Sequence, residues 1–321
     1  MTAGTRTHRI ILTGASGMLG QAVMKQLAKR SDVTVLALYR QDPPETEAQN
    51  IETVLADLTN SRVMTTLLKN AEPSVFIHTA ATGMQLPRPS PEALREINTE
   101  LPVRLAEMVA RGSDCSFVQV SSGLAYQDEG RPLREEDPLK TRHPYGASKA
   151  EAERKLFTSA FRLNTRLTVV RPFSFTGEGD FGTRLFPSLL RSAAQGAPFQ
   201  MSPGNQVRDH SSVDDIATGV IAAALTQSGA PSPSIFNLGT GDTRTLRELV
   251  TSVIDQLGLK VHVEFGARPQ AADEPTFMVP DTTLARTVLD WTPRENIACA
   301  VWRLAKQSFP SLEIEEPERT S

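Results

Sequence analysis

A tyrosine and a lysine four residues apart, Tyr145 and Lys149, stand in the stretch "HPYGASKAEAE" that begins at His143. On a helix this spacing places them one above the other on a single face. Shortly before them the apolar run "VQVSSGLAY" carries two serines, Ser121 and Ser122. These residue types suit the reduction of a ketone, which needs a hydride delivered to carbon and a proton delivered to oxygen. A phenol can supply the proton, although its ordinary pKa is about 10. A neighbouring ammonium favours the phenolate, which brings the tyrosine closer to use as an acid or base at neutral pH. A serine hydroxyl can hold the substrate oxygen in line. A helix that merely exposes a tyrosine and a lysine would show the same spacing, so the surrounding elements have to decide.

A hydride needs a carrier, and "ILTGASGMLG" offers a place for one. Gly14, Gly17 and Gly20 follow an apolar strand-like run and open a segment in which Leu19, Ala22, Val23 and Leu27 recur at helical spacing. A doubly wound sheet binds a dinucleotide at this point. There the chain must turn sharply off the strand and bring backbone N–H groups close to a pyrophosphate, where a Cβ would obstruct them. The helix N-terminus then faces the negative charge. The spacing G-x-x-G-x-x-G departs from the standard G-x-G-x-x-G fingerprint. Further on, "LALYRQD" ends the second strand-like run with Arg40, and the nearest acid, Asp42, lies two residues later. An acid at that strand end would bond a free ribose 2′-hydroxyl, whereas an arginine accommodates a 2′-phosphate. The expected cofactor is therefore NADP in preference to NAD. Asp57 in "LADLTN" could accept from the adenine amino group or cap the helix that follows.

These pieces sit in a regular alternation. "RIILTG", "VTVLALYR", "PSVFIHTAA", "SFVQVSSG" and "RLTVVRPF" read as strands with helical segments between them. Such alternation means crossover units and a parallel sheet, and near-continuous apolar strands mean that both faces are covered. The stretch after Phe309 is acidic and proline-marked and is expected to be a loose tail, residues 309–321. The whole chain of 321 residues suffices for one large domain, or a main domain with a smaller companion. A net charge of -3 provides no basic field for nucleic acid. No apolar run reaches the roughly 20 residues of a membrane helix, and the start of the chain does not read as a signal peptide. Cys115 and Cys299 are the only cysteines, so neither a disulfide framework nor a cysteine-based zinc site is expected. The expectation is a cytoplasmic protein with no nucleic-acid, membrane or metal partner.

Taken in order, "TGASGMLG", "HTAA" at His78–Ala81, Asn98 in "EINTELPVRL", "SSGLAY", "YGASK", "RPFSFTG" and "RDHSSVDD" resemble the extended short-chain dehydrogenase/reductase superfamily over nearly the whole chain. The resemblance is to its NAD(P)-dependent nucleotide-sugar epimerase, dehydratase and ketoreductase branch. It implies an α/β fold: a Rossmann doubly wound parallel sheet with a smaller C-terminal substrate-binding α/β lobe. The sheet domain would take residues 1–173 and regain 211–240, and the lobe would take 174–210 and 241–308. By motif match Ser122, Tyr145 and Lys149 would be catalytic, with Ser122 standing four residues before Tyr126. The cofactor would be lined by Gly14, Ser16, Gly17, Met18, Leu19 and Gly20. Tyr39, Arg40, Asp57, Leu58 and Pro172 would join it, as would Thr79, Ala80 and Ala81 of "HTAATG". Asn98, Tyr145 and Lys149 would complete that set.

The same resemblance suggests a nucleotide-sugar substrate. Arg208 of "QVRDHSSVDD" matches an arginine that pairs with the substrate diphosphate, a bidentate contact suited to guanidinium. Thr82, Ser122, Ser174, Arg184 and Phe186 would line the rest of the substrate site. Asp214 and Asp215 would orient or cap the helix that follows. Two departures narrow the reaction, and a third, at Ser174, bears on an expected substrate or phosphate contact. Gly123 and Leu124 follow Ser122 where 4,6-dehydratases carry Asp-Glu. Gly123 also replaces the cysteine of epimerase-reductases such as the one making GDP-fucose. Ser174 stands where an asparagine is common. What remains is an NADPH-consuming 4-ketoreductase or, as the alternative, a 4-epimerase that retains NAD. A non-catalytic NADP-binding sensor is a third, remoter class, in which the tyrosine or lysine is usually lost. The resemblance also implies a homodimer formed through the helix containing Asn98 and the helix containing Tyr145.

Overall fold

The computed structural model describes residues 7–83, 89–112, 114–226, 232–270 and 274–318. Its first part alternates β1 (His8–Thr13), α1 (Met18–Leu27), β2 (Val33–Tyr39), β3 (Ile51–Leu55), α2 (Ser61–Ala71) and β4 (Val75–His78). Then follow α3 (Pro91–Leu94), α4 (Leu101–Gly112), β5 (Ser116–Val120), α5 (Pro144–Leu163), β6 (Leu167–Pro172) and β7 (Ser174–Thr176). The chain continues through α6 (Leu185–Ala194), β8 (Phe199–Met201), β9 (Val207–Arg208), β10 (His210–Ser212), α7 (Val213–Leu225) and β11 (Ser234–Leu238). It closes with α8 (Leu246–Leu257), β12 (Val263–Phe265), β13 (Phe277–Met278), α9 (Thr283–Leu289) and α10 (Ile297–Ser308).

Seven strands form one sheet in the order β11-β6-β5-β4-β1-β2-β3, every pair parallel. The winding reverses between β1 and β4, so the connections leave in opposite directions and a crevice opens at the carboxyl ends of these strands. All four residues of β4 are buried, as a strand covered on both faces requires. One face carries α1 and α7, whose Val23, Leu27, Ile216 and Val220 share a core with Ile10 and Leu12 of β1. The other face carries α2, α4 and α5, with Met64, Leu105 and Leu156 packed on Phe76 and Phe117. Residues after Ser211 therefore return to the sheet, α7 as a covering helix and β11 as an edge strand beside β6.

A second core lies beside the carboxyl ends of the strands. Phe186 and Leu190 of α6, Phe199 and Met201 of β8, Val250 and Val253 of α8 and Val301 and Leu304 of α10 form it. α8 starts with a complete capping box between Thr245 and Glu248 and stops at Gly258 in the left-handed conformation. Arg303 of α10 ties this lobe to the sheet domain by pairing with Asp214 of α7 at 2.8 Å, while Glu295 within the lobe accepts from the same guanidinium. Among the described residues no helix is long and apolar enough to cross a membrane.

The expected loose tail is not loose over residues 309–318. Phe309, Leu312 and Ile314 pack on the lobe core, and the Glu315 N–H donates to the Leu257 carbonyl at 2.9 Å. Acids and prolines dominate the composition of this stretch, but its apolar residues find a surface. Replacing Leu312 and Ile314 together by alanine is expected to lower stability by about 2 kcal/mol. Chemical denaturation of the two proteins measures this, and an unchanged midpoint would mean that the tail contributes nothing.

Candidate active site

The glycine loop runs from β1 into α1 along one wall of the crevice. Gly14 has φ +73°, and a Cβ on Gly20 would lie 2.0 Å from the Gly14 carbonyl oxygen. A side chain is therefore excluded where the loop folds back on itself. Gly17 is the N-cap of α1, no side chain caps it, and the first turn holds no acid. Such a helix start suits a pyrophosphate, so the residues present fit a dinucleotide. Ser16 is exposed beside the loop, and Leu19 puts its side chain into the core. Thr79 donates its hydroxyl to the Thr13 carbonyl at 2.7 Å, which holds Thr79, Ala80 and Ala81 beside the glycines. At the end of β2, Tyr39 is buried and Arg40 exposed. Asp57 is exposed too, held below the ordinary carboxylate pKa by the Thr59 hydroxyl and amide, with a smaller pull from Arg40. The N-cap of α2 is Asn60, not Asp57. Leu58 packs on the core, and Pro172 is buried at the end of β6.

Asn98 lies in a π-helical turn, Arg95–Glu100, between α3 and α4. The wide turn aims its amide across the crevice floor. The amide accepts from the Thr82 N–H at 2.9 Å and donates to the Thr82 carbonyl at 2.9 Å and the Ser148 hydroxyl at 3.0 Å. It thus fixes the chain after β4 against α5. Single-turn π-helical insertions often mark functional positions.

β5 delivers Ser121 and Ser122, and α5 delivers Tyr145 and Lys149. α5 begins with His143 as N-cap and Pro144 in its first turn, and ends at Asn164 in the left-handed conformation. Lys149 is buried, and its ammonium donates to the Val120 carbonyl at 2.9 Å. The same ammonium lies 5.8 Å from the centre of the Tyr145 ring. Ser122 accepts from the Leu124 N–H at 3.1 Å, which forms the short turn after β5.

The electrostatics differ from the simple expectation that lysine brings the phenol toward neutrality. Burial pushes the Tyr145 hydroxyl up to about 12, opposed by the Arg184 guanidinium. Burial likewise pulls the Lys149 ammonium down to about 8, opposed by the Glu153 carboxylate. At both groups desolvation outweighs the charge that opposes it. Beside it, His78 is fully buried with its Nδ1 2.7 Å from the Thr13 hydroxyl. Burial, with a smaller contribution from Lys149, lowers its pKa to about 3.

The substrate candidates divide. Ser174 starts β7 and pairs with His210 of β10. Arg184 is the N-cap residue of α6, and its guanidinium donates to the Phe175 carbonyl at 2.6 Å and to Asp180 at 3.2 Å. It is close enough to Tyr145 to act on that hydroxyl. Arg208 is nearly buried and already engaged: it lies 3.4 Å from Glu274 and donates to the Pro275 carbonyl at 3.2 Å. Phe186 does not line the crevice. It is 1% exposed in the lobe core and meets His210 edge-on, because the amphipathic α6 turns this face inward. At α7 the N-cap is Ser212, while Asp215 accepts from the Arg294 and Glu295 N–H groups and Asp214 pairs with Arg303. Glu153 closes "HPYGASKAEAE" and Arg171 opens "RPFSFTG", yet neither stands out there as a site residue, and Glu274 belongs to no motif. Glu153 carries one usable signal, its position four residues beyond Lys149 on the same helix face.

A measurable consequence attaches to His78. Its imidazole is expected to stay neutral at pH 5, where an exposed histidine is largely protonated. Below pH 6.5 the unfolded chain takes up a proton that the folded chain does not, so His78 lowers stability as pH falls toward about 3. NMR titration of the ring reads this directly, and an ordinary midpoint would show that the end of β4 is open to water.

A parallel doubly wound sheet with a glycine loop at its switch point, facing a helix that carries a half-buried Tyr145 and a buried Lys149, is the architecture of a dinucleotide-dependent oxidoreductase. Residues 10–239 match the NAD dependent epimerase/dehydratase family, and the chain belongs to it, as an enzyme of the extended short-chain dehydrogenase/reductase type. The UDP-glucose 4-epimerase of Lactobacillus helveticus is 24% identical, over 93% of this chain and 97% of its own. The dTDP-6-deoxy-L-talose 4-dehydrogenase (NAD(P)(+)) of Kitasatospora kifunensis is 27% identical, over 94% of this chain and 95% of its own. MoeE5, solved in complex with UDP-glucuronic acid and NAD, is 25% identical with a TM-score of 0.80, over 95% of this chain and 100% of that one.

Proposed function

We propose that this enzyme oxidises and reduces C4 of a nucleotide-linked hexose, with Tyr145 exchanging the proton on the C4 oxygen. The observation that carries the reading is the convergence of Tyr145, Lys149 and the end of β5 beside the glycine loop. Gly14, Gly17, Gly20 and the N-terminus of α1 would hold the pyrophosphate of the dinucleotide, whose nicotinamide supplies or accepts the hydride. Ser122 orients the sugar oxygen. Lys149, cationic below about 8, favours negative charge on the tyrosine oxygen. Arg208 takes the diphosphate, which exchanges for the Glu274 carboxylate now beside it. Relatives acting at C4, a 4-epimerase and a 4-dehydrogenase among them, support this choice of carbon.

Within this reading we favour a 4-ketoreductase using NADPH. Arg40 is exposed at the end of β2, and no acid occupies that position. Tyr145 keeps its proton throughout the neutral range, as a donor to a ketone must. A 4-epimerase retaining NAD is the second reading, favoured by the epimerases among the relatives and by the NAD with which MoeE5 was solved. The same proposal includes a homodimer through α4 and α5, where Phe161 is 91% exposed.

Mass spectrometry of the protein as purified, native and then denatured, separates the two readings: retained NAD indicates the epimerase, whereas an empty protein that takes up NADPH indicates the reductase. Tyr145→Phe is expected to lower turnover of nucleotide-linked hexoses by roughly 10²–10⁴ with cofactor affinity nearly unchanged, and full turnover would sink the assignment. Arg40→Ala is expected to weaken NADPH more than NADH in a fluorescence titration; equal losses would remove the case for NADPH.

A further inference from the structure

Behind the crevice lies a polar cluster built on Glu153 and Arg171. Glu153, one turn beyond Lys149 on α5, is fully buried. Its carboxylate accepts the Ser121 hydroxyl from the end of β5. It also accepts from Arg171 of β6, Nε at 3.1 Å and a terminal nitrogen at 2.5 Å. Arg171, 2% exposed, donates its other terminal nitrogen to the Tyr126 hydroxyl at 2.6 Å and the Glu135 carbonyl at 2.9 Å. Tyr126 donates its own hydroxyl to Asn237 of β11 at 2.7 Å, and Asn237 donates to the Leu133 carbonyl at 2.9 Å. Three sheet strands and the Tyr145 helix are thereby joined through one carboxylate.

The residue tethered by Glu153 lies between two functional positions. Val120, just before Ser121, offers the carbonyl that holds Lys149, and Ser122 just after it is the candidate hydroxyl for the substrate. A shift of Ser121 moves both. We propose that Glu153, neutralised by Arg171, is a positioning residue that locks the end of β5 to α5 through Ser121 and so sets Ser122 against Tyr145 and Lys149. This role rests on the C4 oxidoreductase reading. A buried ion pair is poor evidence of stabilisation in itself, since desolvating both charges offsets their attraction. Its use here is registry. The Ser121 hydroxyl meets α5 through this carboxylate, and the same carboxylate is the anion that helps Lys149 remain charged. The groups facing Lys149 are His78 from β4, the Val120 carbonyl from β5, and Tyr145 and Glu153 from α5 itself. Arg171 stands behind Glu153 on β6.

The test uses the full chain with Ser121→Ala, Glu153→Gln and the paired Glu153→Gln/Arg171→Met. The paired variant removes both charges of the Glu153–Arg171 pair together, so it guards against misfolding of the single one. Thermal melting and a cofactor titration establish that each protein is folded and binds. With UDP-glucose as the probe and NAD+ or NADP+ supplied as the hydride acceptor, Ser121→Ala and the paired variant are expected to lose kcat by roughly tenfold to a hundredfold while KM stays within about twofold. NMR titration of the lysine side chains, with Lys149→Arg to assign the signal, is expected to place Lys149 near 8 in the parent and lower in Glu153→Gln. Folded variants with parental kcat and an unmoved Lys149 midpoint would overturn the proposal. If the parent does not turn over UDP-glucose, the C4 reading fails for that substrate, and a crystal structure of Ser121→Ala still decides the role of Glu153: an end of β5 and a Ser122 unmoved against α5 would overturn it.

Discussion

The crevice depends on how closely the first turn of α5 approaches the end of β5. A Cβ on Gly146 would stand 2.0 Å from the Leu124 carbonyl oxygen, so no other residue permits the contact without displacing backbone. Because the helix comes this near, Lys149 reaches the Val120 carbonyl and Glu153 reaches Ser121. The approach also desolvates what it brings together. Lysine loses part of its hold on a proton and tyrosine tightens its own, each moved by burial more than by the other. Distance and dielectric are thus two results of one packing decision.

That decision is secured from both sides. Toward the sheet, Ala152, Leu156 and Ala160 place α5 on a core shared with Phe117 and Val169. Toward the crevice, Asn98 ties the chain after β4 to Ser148. Beneath lies the Glu153–Arg171 pair. Removing one partner of such a pair costs about 3–5 kcal/mol because the other charge is left buried alone. The polar atoms placed around it accordingly find partners in Ser121, Tyr126, Asn237 or a backbone carbonyl. A fully satisfied network of this kind specifies one arrangement more than it deepens the energy well.

The lobe is joined to the sheet domain by ions as well as by α9, whose Ala285 and Leu289, with Trp291 after it, pack into the core of the sheet domain. Arg303 meets Asp214 and Glu295, and Lys25 of α1 pairs with Glu178. Arg208 stands on the lobe side with its charge met by Glu274. A diphosphate offers guanidinium the same kind of partner as that carboxylate, with more charge. The arrangement keeps the arginine's charge compensated by Glu274.

Much of this molecule is written locally. Alternating strands and helices, the three glycines, and the four-residue step from Tyr145 to Lys149 all reflect backbone periodicity, which a stretch of about ten residues expresses by itself. Other features needed the folded chain. Phe186 looked available for substrate until α6 turned it into the lobe core. Residues 309–318 looked loose until their apolar members met α8 and α10. Arg208 proved to be engaged by Glu274, far along the chain. Residue types and spacing determined which side chains could do chemistry. Only the tertiary structure decided their protonation, their partners and their reach, because desolvation and long-range pairing depend on what packs around a group and not on its neighbours in sequence.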